Sequence, residues 1–255
     1  MGGVTRVTVC CEDLYRGCDV AAKRRSSRIV VVSPHLDDAV LSLGSTVAHA
    51  VQAGSKVEIL TVFSDSPVSQ AEAGPWDSRC GFTTEGEAAA ARRAEDRTAC
   101  AVLGAEPRWL DFGDECYERR GSDEDIYSAV ISVVDGADAV FIPGFPLVHA
   151  DHARLSSLLL RRGLNCPRVA LYGEQPYMFA QGKAPTDADF APTPVLAATL
   201  PWRYVRTRRA HRRTKYRAAR SYRAQLYHLG LARFGLHQML WREAARGGEP
   251  IVWLS

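Results

Sequence analysis

The sequence predicts a mainly parallel, Rossmann-like α/β sheet with helices on both faces, on the strength of three observations. Short runs of β-branched and other apolar residues recur at residues 29–32, 57–63 and 139–143. These runs carry no polar alternation, the pattern of strands buried on both faces. Between them lie Ala- and Leu-rich stretches of helical length, and five such strand–helix alternations predict parallel pairing through crossover helices.

The first element ends where chemistry is expected. Residues 29–32 (Ile-Val-Val-Val) read as a buried strand, and Ser33-Pro34-His35-Leu36-Asp37-Asp38 follows it. An imidazole and two adjacent carboxylates therefore stand at the carboxyl end of a strand, where open α/β sheets bind ligands. Residues 39–53 predict a helix closed by Gly54, and residues 57–63 a second strand, completing a βαβ unit. The stretch 64–84 is rich in Ser, Pro and Gly and too long for a minimal connection, so it is expected to overhang the same edge and border the site. Residues 85–103 are Ala-rich and stop at Gly104, predicting a helix, and residues 107–112 form a short third strand that brings Asp111 and Asp114 to the edge.

A helix over 124–134 precedes the strand 139–143 and a second cluster, His149-Ala150-Asp151-His152. Residues 152–162 continue as a helix with Leu155, Leu158 and Leu159 at core spacing. Residues 168–172 form a further strand that delivers Glu174 to the common edge. Residues 179–201, with Gly182, Pro185, Pro192 and Pro194, predict a surface loop returning near it. The expected organisation is an irregular segment over 1–27 and a single α/β domain over 28–255.

The two clusters read together as a metal site. His35 and Asp38 can face one point while Asp37 points past it, and His149 and His152 lie beyond another strand end. Two histidines and one carboxylate around a metal with open positions suit Zn2+. The plainer alternative makes Asp37, Asp38 and Asp151 helix caps and the histidines bystanders.

Composition narrows the function classes. The chain has 255 residues, 46% hydrophobic and 24% charged, with 32 basic and 29 acidic residues and a net charge of +3. Global charge thus gives no reason to expect nucleic acid or an anionic membrane. Arg203 to Arg223 is locally basic, with no acidic residue; its reading is a helix with a solvated basic face and an apolar side of Tyr216, Ala219, Tyr222, Leu226 and Leu229. The interleaved Tyr204, Tyr216 and Tyr222 would instead suit a nucleic-acid surface, the reading set aside. Seven cysteines, odd in number and without CxxC spacing, fit reduced thiols in a cytoplasmic setting. No apolar run reaches the length of a membrane span, and charges interrupt the first 27 residues where a signal peptide needs an apolar stretch. No GxGxxG follows the first strand, and no oligomeric state is legible.

Pro34-His35-Leu36-Asp37-Asp38, followed about a hundred residues later by His149-Ala150-Asp151-His152, resembles the motifs of the PIG-L/LmbE-like zinc-dependent de-N-acetylases. Arg92-x-x-Glu95 before Leu103-Gly104 and the closing Glu249-Pro250-Ile251-Val252-Trp253 are similar to weaker landmarks of that family. The resemblance implies an N-acetylated amino sugar, as glycoside or conjugate, for substrate, and Zn2+ for cofactor. On that resemblance His35, Asp38 and His152 are the expected ligands, Asp37 the general base and His149 the group that stabilises the oxyanion and protonates the amine. Asp151, Asp111 and Glu174 are candidates for orienting histidines or meeting substrate. Leu36 and Ala150 stand where the family often has Pro, Ala39 where it usually has Glu, and Leu147 where some relatives have a Tyr. A thiol-conjugate amidase on the same metal site, and a nucleic-acid-associated protein with a structural metal, are the alternatives.

Overall fold

The computed structural model describes residues 8–9, 26–114, 117, 121–180, 201–232 and 234–254. In chain order the elements are β1 (Thr8–Val9), β2 (Arg28–Ser33), α1 (Asp38–Gln52), β3 (Lys56–Thr61), α2 (Pro75–Arg79), α3 (Glu85–Leu103), β4 (Glu106–Trp109), α4 (Asp123–Val134) and β5 (Ala139–Phe145). They continue with α5 (Ala150–Arg162), β6 (Val169–Gly173), α6 (Tyr177–Ala180), β7 (Arg203–Val205), α7 (Arg209–Ala219), α8 (Arg223–His228), α9 (Gly235–Arg246) and β8 (Glu249–Trp253).

The strands form one sheet in the order β1-β7-β8-β6-β5-β2-β3-β4. β2 pairs in parallel with both β3 and β5, and β3–β4 and β5–β6 are parallel too. β8 runs antiparallel between β6 and β7. The chain thus leaves β2 toward β3 and β4, then returns to its other side at β5. That reversal opens a crevice beyond the carboxyl ends of β2 and β5, the place where such sheets take ligands.

Residue alternation within the buried strands explains why both faces are covered. Val31 and Phe141 face one apolar cluster together with α1, α3 and the helices after β7. Val30, Val32, Val140 and Ile142 face the other, with α4 and α5. Each fully buried Val, Ile or Leu contributes on the order of 1.5–3 kcal/mol. The helices start and stop for local reasons. Thr84 accepts from the Glu87 N–H at 3.2 Å to cap α3, whose end is turned by Gly104 in the left-handed conformation. Ser122 and Asp125 form a reciprocal capping box on α4.

Three expectations need correction. Within the segment expected to be irregular, Thr8–Val9 pairs with β7 as a short parallel strand. The basic segment is not one helix: β7 comes first, then α7 and α8 break at Arg220–Tyr222. Ala219, Tyr222 and Leu226 do face the core, with Tyr216 and Leu229 packed against it. Lys215, expected on a solvated face, is wholly buried, its Nζ 2.6 Å from Glu243 and 2.7 Å from Glu249. The small residue at Gly44 admits it, since a Cβ there would come within 2.8 Å of Lys215 Cγ. The loop predicted over 179–201 lies mostly outside the described residues. No helix among the described residues is long and apolar enough to cross a membrane.

Candidate metal centre at the carboxyl edge

Each functional side chain reaches the crevice from the end of a strand. After β2 the chain turns sharply: Ser33 Oγ donates to the His35 carbonyl at 2.7 Å and accepts from the Ala39 N–H at 3.0 Å, closing the turn into α1. Asp37 sits at the helix N-cap with φ 115°, a region that non-glycine residues rarely enter. Such a backbone costs on the order of 1–3 kcal/mol and is typical of functional positions. Ala39 is buried in the apolar cluster, so this position serves packing here.

His35, Asp38 and His152 converge. His35 Nδ1 and His152 Nε2 are 3.1 Å apart, His152 Nε2 and Asp38 Oδ2 3.2 Å, and His35 Nδ1 and Asp38 Oδ2 3.6 Å. Ligands at the zinc–nitrogen distance of about 2.0–2.1 Å in a tetrahedron stand roughly 3.3–3.4 Å from one another, so this triangle has the size of one face of such a site. The outer ring atoms set the tautomers. His152 Nδ1 lies 2.6 Å from Glu174 Oε1 and His35 Nε2 3.1 Å from Asp151 Oδ2, which places the ring protons toward those carboxylates. Asp38 Oδ2 and the two inward nitrogens thus form one compact group of ligand-type atoms, each histidine oriented by a carboxylate on its far side, and this donor set fits a borderline divalent metal.

The electrostatics follow the same logic. Burial disfavours the His152 cation, but the Asp38 and Glu174 carboxylates outweigh it and hold the pKa well above the usual histidine value. Burial likewise opposes the Asp38 anion, yet His152 and His35 bring its pKa below the usual carboxylate value. Asp37 differs: burial, reinforced by the adjacent Asp38 charge, pushes its pKa well up. Two neighbouring carboxylates thus have their pKa values displaced in opposite directions.

His149 caps α5, its Nδ1 accepting from the Asp151 N–H at 3.4 Å, and its ring packs edge-on against His35 with centroids 4.7 Å apart. Nitrogens of His35, His149 and His152 also lie within 4.8 Å of one another, a looser set than the His–Asp–His triangle. Of the three candidates for supporting roles, Asp151 and Glu174 are brought to the histidines and Asp111 is not. The Asp111 backbone pairs with Phe63, its side chain turns outward with 65% exposure, and Arg93 meets it at 2.6 Å. Leu147 offers its backbone, donating its N–H to Glu174 Oε2 at 2.9 Å.

The centre opens into a cavity of about 320 Å³. Asp65, Pro75, Trp76 and Arg79 from the 64–84 stretch line it, as expected of that loop, together with Arg92 and Asp114. Gln175, Pro176 and Tyr177 after β6 line it too, with Gln225 and Leu229 from the helical region after β7. Sequence reasoning missed Gln175, Tyr177 and Gln225; the position of Gln175 and Tyr177 just after a strand was the available signal, and Gln225 had none.

An open α/β sheet with a histidine–carboxylate cluster at its switch point brings metal-ligating groups to the place where such sheets take ligands. The family model for PIG-L, the GlcNAc-PI de-N-acetylases, matches residues 30–162, which span both clusters, and the chain belongs to this family of amidohydrolases. The A40926 pseudoaglycone deacetylase Dbv21 is similar in structure, with TM-score 0.69 and 27% identity over 90% of this chain and 97% of that one. The zinc-inhibited form of the teicoplanin deacetylase Orf2 shares the fold at TM-score 0.68 and 23% identity, covering 89% of this chain and 98% of that one. The N,N'-diacetylchitobiose deacetylase of Pyrococcus horikoshii does so at TM-score 0.57 and 18% identity, over 95% and 88%. None of the curated proteins compared matches the chain.

Proposed function

We propose that the protein is a zinc-dependent hydrolase that removes the acetyl group from an N-acetylated amino sugar, presented as a glycoside or conjugate of the N-acetylglucosamine type. The observation that carries this reading is the His35–Asp38–His152 triangle, with edges of 3.1–3.6 Å, beside a separate buried carboxylate. Those three side chains would hold Zn2+, which supplies a Lewis acid that acidifies water and polarises an amide carbonyl. The donor set of two imidazoles and one carboxylate supports that choice of metal. The sugar class is supported by similar proteins that are deacetylases of the A40926 pseudoaglycone and of N,N'-diacetylchitobiose. A cavity of about 320 Å³ is at the small end of ligand pockets, suited to one sugar ring and its acetamide.

The protein's own groups then divide the work. Asp37, its basicity raised by burial and by Asp38, takes a proton from the attacking water. Protonated His149 can donate to the developing oxyanion and then protonate the leaving amine; taking up that proton at Nδ1 displaces the Asp151 N–H, from which the neutral ring accepts. The C–N bond breaks as that proton arrives, giving acetate and a free amine. Asp151 and Glu174 orient His35 and His152. The free Cys80, Cys100 and Cys166 fit a reducing, cytoplasmic setting.

The deciding test is acetate release from a panel of N-acetyl sugars, glycosides and an acylated thiol conjugate by zinc-loaded protein. Release from at least one sugar, abolished by Asp37→Asn, is expected. Hydrolysis of the thiol conjugate alone would move the assignment to an amidase, and silence across the panel would end the hydrolase reading.

A further inference from the structure

Gln175 follows directly on the carboxylate that orients His152, and its position is held by its backbone N–H, which donates to Ser42 Oγ at 3.1 Å. Its side chain is wholly buried and lines the cavity, yet neither Oε1 nor Nε2 has a hydrogen-bond partner. Gln225 lines the same cavity. Its Nε2 donates to the Leu36 carbonyl at 3.0 Å, and its buried Oε1 also lacks a partner. Buried amides are almost always paired, so two unsatisfied amides in one cavity point to a ligand that satisfies them.

Resting on the deacetylase reading above, we propose that Gln175, with Gln225, forms a neutral subsite for a pair of hydroxyl groups on the amine portion of the substrate. Gln175 is thereby a specificity-determining residue. The unpaired atoms are two acceptors and one NH2 donor, and hydroxyl groups both donate and accept. An acetyl methyl would leave all three unpaired, which assigns the subsite to the amine portion and not to the acyl group. A charged substituent has other groups to meet in the same cavity, whose lining includes Asp65, Asp114, Arg79 and Arg92. Pro176 and Leu229 add apolar surface for the C–H face of a ring. A site built to hydrogen-bond a hydroxyl discriminates strongly against analogues without it, because its own buried groups are then stranded.

The test compares zinc-loaded wild type, Gln175→Met and Gln175→Glu by calorimetric titration with two probes, methyl β-glucosaminide and the hydroxyl-free cyclohexylamine. Both carry a free amine and are not turned over. Gln175→Met should weaken glucosaminide at least tenfold while weakening cyclohexylamine far less; Gln175→Glu, which keeps the shape and loses the donor, covers the case in which the Met variant does not fold. Equal loss for both probes, no loss for glucosaminide, or no glucosaminide binding by wild type overturns the subsite. Acetate release assayed on the same preparations separates the two readings. Acetate release with glucosaminide binding indifferent to residue 175 removes the subsite alone. Gln175-dependent binding without acetate release removes the hydrolase reading and keeps the subsite.

Discussion

The Glu174 carboxylate lies 2.6 Å from His152 Nδ1, with both side chains essentially excluded from solvent, and this pair decides which nitrogen of the ring faces Asp38. Glu174 also accepts from the Leu147 N–H at 2.9 Å, so one carboxylate ties the end of β6 to the loop after β5. Glu174→Gln keeps the size but weakens the hold on the ring. It is expected to lower zinc affinity about 10–100-fold, read by competition with a chelator. An unchanged zinc affinity would show that the ring needs no such partner.

The three proposed ligands predict about one zinc per chain. His152→Ala should lose most of it, and Asp38→Asn should bind it weakly enough that added zinc partly restores acetate release. Elemental analysis of the purified variants decides the matter, and full retention of zinc by His152→Ala would refute the ligand set.

Asp37 is assigned to proton transfer and not to ligation, so Asp37→Asn should retain zinc and fold while losing activity by about 10²–10⁴. In wild type the acidic limb of the rate profile should follow this group, activity rising with pH as it ionises. The limb should lie above the usual carboxylate range when metal is weakly bound, since burial and Asp38 raise its pKa. Loss of zinc from Asp37→Asn with retention in Asp38→Asn would exchange the two roles.

The buried Lys215, Glu243 and Glu249 make a separate prediction about stability. Glu249 accepts from the Ser45 and Thr46 N–H groups, the Thr46 hydroxyl and Lys215. Glu243 accepts from Lys215, and burial, with the Glu249 charge, lifts its pKa to about 8 despite that lysine. A carboxyl that is protonated more readily in the folded state stabilises fully below its unfolded pKa, and that contribution is lost as pH rises toward the folded value. Stability should therefore fall between about pH 4.5 and 8, by up to about 1.4 kcal/mol per pH unit from this group. Asp65, raised to about 7 by burial and then by Asp114, acts in the same direction. Glu243→Gln should flatten the dependence, measured as urea midpoints across that range. Lys215→Met, by removing the ammonium between Glu243 and Glu249, should destabilise by about 3–5 kcal/mol at neutral pH.

What the sequence by itself determined is local. The Ile29-Val30-Val31-Val32 run forms a strand because β-branched residues without polar alternation have nowhere to go but a sheet buried on both faces. Residues 85–103 form a helix with those bounds because Thr84 and Gly104 supply its cap and its turn within the segment itself. The two clusters were legible as candidate metal ligands because their residues are neighbours in the chain and lie just past strand ends. Tertiary structure decided everything that depends on a distant partner. Asp111 faces Arg93 and leaves the site because its backbone pairs with Phe63. Lys215 goes inside because two carboxylates, 28 and 34 residues away, are waiting for it across a gap that Gly44 keeps open. Gln225 enters the cavity wall through a bond to Leu36, 189 residues earlier, and no local pattern carries that information. Propensity and capping act over a few residues, whereas burial of a polar group is settled only by the partners that the assembled sheet and helices bring to it.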